Sequence, residues 1–94
     1  MILNIEFDSH EELITFLHNE KGLIFLTAYN MISKSIDNGD NIAVVANLTV
    51  NNYVFTIQIE KIDFVKHLNK SLIYFENVEN YEICQKIKSL IDFL

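Results

Sequence analysis

The stretch IAVVANLTVNNYVFTIQIE, residues 42–60, decides the fold. Two runs in which apolar and polar residues alternate flank Asn51-Asn52, and a two-residue turn with both asparagines at positive φ joins them as a β-hairpin. Such a turn opposes Val50 to Tyr53, Leu48 to Phe55, Ala46 to Ile57 and Val44 to Ile59, all apolar and all on one face. The other face carries Asn47, Thr49, Thr56 and Gln58, with Ala43, Val45 and Val54 interspersed. One side of the hairpin therefore meets a core and the other meets water.

Outward from the hairpin the periodicity changes. Leu3, Ile5 and Phe7 alternate with Asn4 and Glu6, which predicts a strand over residues 2–7. Ser9 with Glu12 three residues on forms a capping box, and Leu13, Ile14, Phe16 and Leu17 follow on one helical face before Gly22. Residues 23–37 place Phe25, Ala28, Tyr29, Ile32 and Ile36 at helical spacing, closed by Asn38-Gly39, although LIFL at 23–26 reads equally as strand. After Glu60 the pattern is helical again. Asp63 stands as a cap, Phe64, Val65, Leu68, Leu72 and Phe75 form a stripe to about Glu76, and a last helix runs from about Asn80 to Phe93. The expected class is α+β, with one domain over residues 1–94. A sheet of about three strands, 2–7 plus the hairpin 42–60, packs with four helices in the order βααββαα.

Ninety-four residues allow a single modest core, and a mean hydropathy of +0.18 is that of a folded chain. Thirteen acids against seven lysines give a net charge of −6, which favours a basic protein partner over nucleic acid or an anionic membrane. Arginine is absent, so the usual bidentate reader of guanine is missing and sequence-specific nucleic-acid binding is not expected. The apolar run Leu23 to Leu26 is far too short to span a bilayer. A single cysteine, Cys84, and a start without a cationic leader point to the cytoplasm. The wealth of Ile, Asn and Lys suits a low-GC bacterium or its phage.

Catalytic patterns are sparse. His10, His18 and His67 lack the closely spaced partners of a zinc site. Asp63 and His67, four apart on one helix, fit an ordinary ion pair, and the acids at Asp8, Glu11 and Glu12 fit a helix start. Cys84 falls on the inner side of the last helix, and both glycines lie at helix ends, where neither makes a phosphate loop. No enzyme, no cofactor and no metal are expected.

Three aromatics stand off the predicted apolar stripes. Phe93 projects among Glu82, Lys86 and Ser89, Tyr81 lies outside its helix's stripe, and Tyr74 falls with Asp63, His67 and Lys70. A half-wet tyrosine or an unforeseen neighbour accounts for such positions. The functional alternative makes Tyr74, Tyr81 and Phe93, rimmed by Glu76, Glu79 and Glu82, a partner-binding patch. NYEICQKIKSLIDFL, residues 80–94, resembles the second helix of the UVR motif through Tyr81, Glu82, Cys84, Lys86, Ile87, Lys88, Ile91 and Leu94. It departs from that motif at Lys88-Ser89, where Arg-Asp is common. The resemblance implies a helical hairpin used for protein association. In size, charge and want of catalytic residues the chain is also similar to anti-CRISPR and other anti-defence inhibitors of phages and mobile elements. That resemblance implies an inhibitor of a nucleoprotein or nuclease. The other reading is an assembly module that docks or forms a homodimer through its last two helices.

Overall fold

The computed structural model describes residues 1–94 and is α+β. Its elements run β1 (Leu3–Phe7), α1 (His10–Asn19), α2 (Lys21–Asn38), β2 (Ile42–Val50), β3 (Tyr53–Glu60), α3 (Phe64–Asn77) and α4 (Tyr81–Phe93), with a 3₁₀ turn at Lys61–Asp63. The order βααββαα and the three-stranded sheet agree with the sequence pattern.

Asn51 and Asn52 adopt φ of 49° and 69°, the pair of left-handed residues that a two-residue hairpin turn demands. The register follows the alternation from Val50↔Tyr53 through Leu48↔Phe55 to Ala46↔Ile57. There it slips by one residue, so that Val44 opposes Gln58 and Ala43 opposes Ile59. The extra residue is Val45. Ala43 and Val45, expected on the wet face, are fully buried, whereas Val44, expected in the core, is only half-buried on the outer side. Residues 42–46 are apolar at every position, so alternation cannot fix a register there, and a bulge lets the small Ala43 and Ala46 sit beneath a helix.

Strand β2 lies between its neighbours, antiparallel to β3 and parallel to β1, with Leu3↔Ala46, Ile5↔Leu48 and Phe7↔Val50. A parallel pair needs a long crossover, here supplied by α1 and α2. Helix α2 buries Ala28, Met31, Ile32 and Ser35 against β2, and the Ser35 hydroxyl donates to the Ile42 carbonyl at 3.2 Å. Residues 23–26 lie within α2 and are helical. Helices α1 and α2 are parted at Glu20 rather than at Gly22. Asp63 stands at the start of α3, but its side chain accepts no capping hydrogen bond, because the 3₁₀ turn already carries the chain into the helix. Helix α3 packs on α2, and α4 packs on α3.

Helices α1, α2 and α3 cover one face of the sheet, with α4 held through α3. The opposite face is bare and is crossed by a hydrogen-bonded row in which Asn47 donates to Asn4 at 3.2 Å and Thr56 donates to Asn47 at 2.9 Å. The molecule is accordingly thin, with extents of 41 × 31 × 18 Å. Helical cover also stops short along β3. Tyr53 is 71% exposed and Phe55 46%, although both point to the helical side and were expected in the core. The register sets direction, but burial needs a helix overhead, and along β3 only Ile59 is buried. Leu48→Ala should therefore cost about 2–5 kcal/mol. Phe55→Ala should cost less than half as much in parallel denaturant melts.

Candidate protein-binding surfaces

The six residues singled out at the C-terminus do not form one patch. Tyr74 is absorbed into the fold, with its ring 5.1 Å from that of Phe25 on α2 and 5.1 Å from that of Phe75. A Cβ placed on Gly22 would come within 3.0 Å of the Tyr74 hydroxyl, so the glycine serves a close approach of α2 and α3 rather than a helix end. The flank of α3 that bears His67, Lys70 and Tyr74 faces α2. A single-helix projection cannot show this.

Tyr81 and Phe93 do stay exposed, at 66% and 75%. They stand at opposite ends of the thirteen-residue α4, about 18 Å apart along its axis. Cys84 and Ile87 on the inner side are buried, and Glu82 reaches Lys86 at 3.9 Å. Asn80 caps α4 by accepting from the Ile83 N–H. Glu76 and Glu79 are exposed at the turn between α3 and α4. There the Glu79 N–H donates to the Glu76 carbonyl and the Asn80 N–H to the Phe75 carbonyl. The same bond pair closes α2, where Gly39 (φ 72°) donates to Ile36 and Asp40 donates to Ser35. Glu79 holds that left-handed position, φ 59°, with a side chain. Antiparallel packing of α3 and α4 also brings exposed Ile62, Val65, Phe93 and Leu94 to one end of this helix pair.

A second surface lies at the β1–α1 end. The first twenty residues contain Glu6, Asp8, Glu11, Glu12 and Glu20 and no lysine, leaving eight acids against seven lysines in the rest of the chain. Almost all of the net charge is therefore local. The helix start is built as the capping pattern predicts: the Ser9 hydroxyl accepts from the Glu12 N–H, and a Glu12 carboxylate oxygen accepts from the Asp8 N–H at 3.0 Å. Beside it a groove of about 660 Å³ has the Phe7 and Phe16 rings in its lining, 5.3 Å apart, together with Glu11, Glu12 and Glu20. Ile14 on the same helix is 65% exposed. The signal was present in the sequence as a run without lysine, but each acid taken singly is explained by the helix dipole.

The third surface is β3 itself. Alongside it a narrower groove of about 280 Å³ is lined by Phe25, Ala28, Ile57 and Ile59, with His67 and Lys70 of α3. Burial holds the His67 imidazole below its ordinary value of 6.5, aided by Lys70 and Lys66 and opposed by Asp63. No three His, Cys, Asp or Glu side chains come within metal-holding reach of one another. No helix is long and apolar enough to cross a membrane. Searches of family models, curated proteins and solved structures found no match to the chain.

Glu79→Gly should raise stability by about 0.5–1 kcal/mol, because relief of the left-handed penalty exceeds the added freedom of the unfolded chain. Equilibrium denaturation measures it. A second expectation concerns pH. The native state takes up the His67 proton less readily than the unfolded chain, so stability is lost as pH drops below about 6.5 and levels off once His67 itself protonates. Between about pH 7.5 and about pH 5.5 the wild-type melting midpoint should fall further than that of His67→Gln.

Proposed function

We infer that the chain is a non-catalytic binding protein that engages a basic protein surface through its β1–α1 end. The observation that carries this reading is the segregation of charge, with five acids and no lysine in the first twenty residues. The Phe7 and Phe16 rings suit the aliphatic stem of a lysine or arginine, and the carboxylates of Glu11 and Glu20 suit its head. Nucleic-acid-handling complexes present basic surfaces of this kind, and an acidic protein seated there competes with the phosphate backbone. That logic, with the similarity of profile to anti-CRISPR proteins, supports inhibition of a nucleoprotein or nuclease in a bacterial cytoplasm as the finer proposal. A second reading, docking or assembly through α3 and α4, is favoured by the exposed Ile62, Val65, Phe93 and Leu94.

Capture from a low-GC bacterial lysate over a salt series, quantified by mass spectrometry, separates the two. Glu11→Lys with Glu20→Lys should cut recovery of a basic partner at least tenfold at low salt, and wild-type recovery should fall steeply as salt rises. Tyr81→Ala with Phe93→Ala should leave recovery within about twofold if those aromatics lie outside the interface. Loss at α4 with indifference at α1 would move the function to the α3–α4 pair.

A further inference from the structure

We propose that two copies of this chain associate through β3, antiparallel about Thr56, to form one continuous six-stranded sheet. The inference rests on the β3 edge rather than on the acidic groove, of which only the first turn of α1 lies near that edge.

Strand β3 is an edge along its eight residues. In a two-residue hairpin the pair that closes the turn, Val50 and Tyr53, is hydrogen-bonded. Inward and outward groups then alternate along β3, and the N–H and C=O of Val54, Thr56 and Gln58 point away from β2. Edges of soluble proteins are usually blunted by charge, proline or a bulge on the strand itself. From Tyr53 to Ile59 this strand reads YVFTIQI, without charge or proline, and the bulge is on β2. In a chain with twenty charged side chains, the edge is left unguarded.

The edge is also complementary to itself. Pairing about Thr56 sets Val54 against Gln58 of the partner subunit, Thr56 against Thr56 of the partner subunit, and Phe55 against Ile57 of the partner subunit. Exposed Phe55 then lies beside the partner's own groove along Ile57 and Ile59. Residues 53–55 are exposed, with only the His10 ring reaching Phe55, whereas Ile57 and Ile59 line the groove beside α3, so each subunit supplies cover where the other lacks it. Charge agrees. The His10 ring stacks edge-on to Phe55, with centroids 6.4 Å apart, which places the acidic first turn of α1 at one end of the edge, while Lys70 lines the groove at the other. Antiparallel pairing brings that acidic turn of each subunit toward Lys70 of the partner subunit, and β1, with Glu6, is kept at the far edge.

A residue that meets itself across a two-fold axis gives a selective test. Thr56→Lys and Thr56→Glu each place like charges in direct opposition, whereas an equal mixture of the two pairs opposite charges. Sedimentation velocity of the wild type over a concentration series should show a dimer, each variant alone should dissociate at least tenfold more readily, and the mixture should regain dimer. Thermal melts of each variant confirm that it is folded. A wild type that stays monomeric throughout, or variants that dimerise as the wild type does, would overturn the proposal. Either result would leave the β1–α1 reading untouched.

Discussion

Strand β2 is the element on which the rest depends, since it alone has hydrogen-bonded neighbours on both sides and it lies under α2. Its inward residues, Ala43, Val45, Ala46, Leu48 and Val50, are all buried. The bulge at Val45 is part of that constraint. It turns two successive residues toward the helices and lets a continuous apolar run serve as the floor of the core without a second helical layer on the opposite face. That face is left to the Asn4, Asn47 and Thr56 row, which is hydrogen-bonded across all three strands.

What could be read from the sequence follows from which signals are local. The Asn51-Asn52 turn, the Ser9 cap and the strand at Leu3–Phe7 depend on residues a few positions apart, and the structure has each of them. The register beyond Ala46 was not legible, because IAVVA offers no polar residue to mark a face. Tyr74 and Gly22, 52 residues apart in the chain, form one contact between two helices, so each looked like something else alone: an idle aromatic and a helix stop. Phe55 was misplaced for a third reason. Alternation tells the direction of a side chain but not whether any element lies above it. Of the candidate site, Tyr81 and Phe93 were rightly read as off the apolar stripe, whereas the acidic groove required knowing that Phe7, Phe16 and Glu20 come together.

Charge and apolar exposure are sorted to different places on this thin molecule. Acids gather at β1 and α1, bare apolar side chains run along β3, and a second apolar group caps one end of α3 and α4. Long-range electrostatics acts at the first and desolvation at the other two, so salt and hydrophobic truncation report on separate surfaces.

The parallel pairing of β1 with β2 also orders the assembly of the chain. Asn4 and Asn47 meet across 43 residues, whereas β2, β3, α3 and α4 follow one another through short turns. Closing the long loop is entropically dearer than any of the local steps, so β1 is expected to dock last although it is synthesised before β2 and β3. Until it docks, both sides of the sheet are open edges. The strand that precedes the hairpin in sequence is thus the one that completes the sheet, and its acidic segment stays undocked while the local elements form.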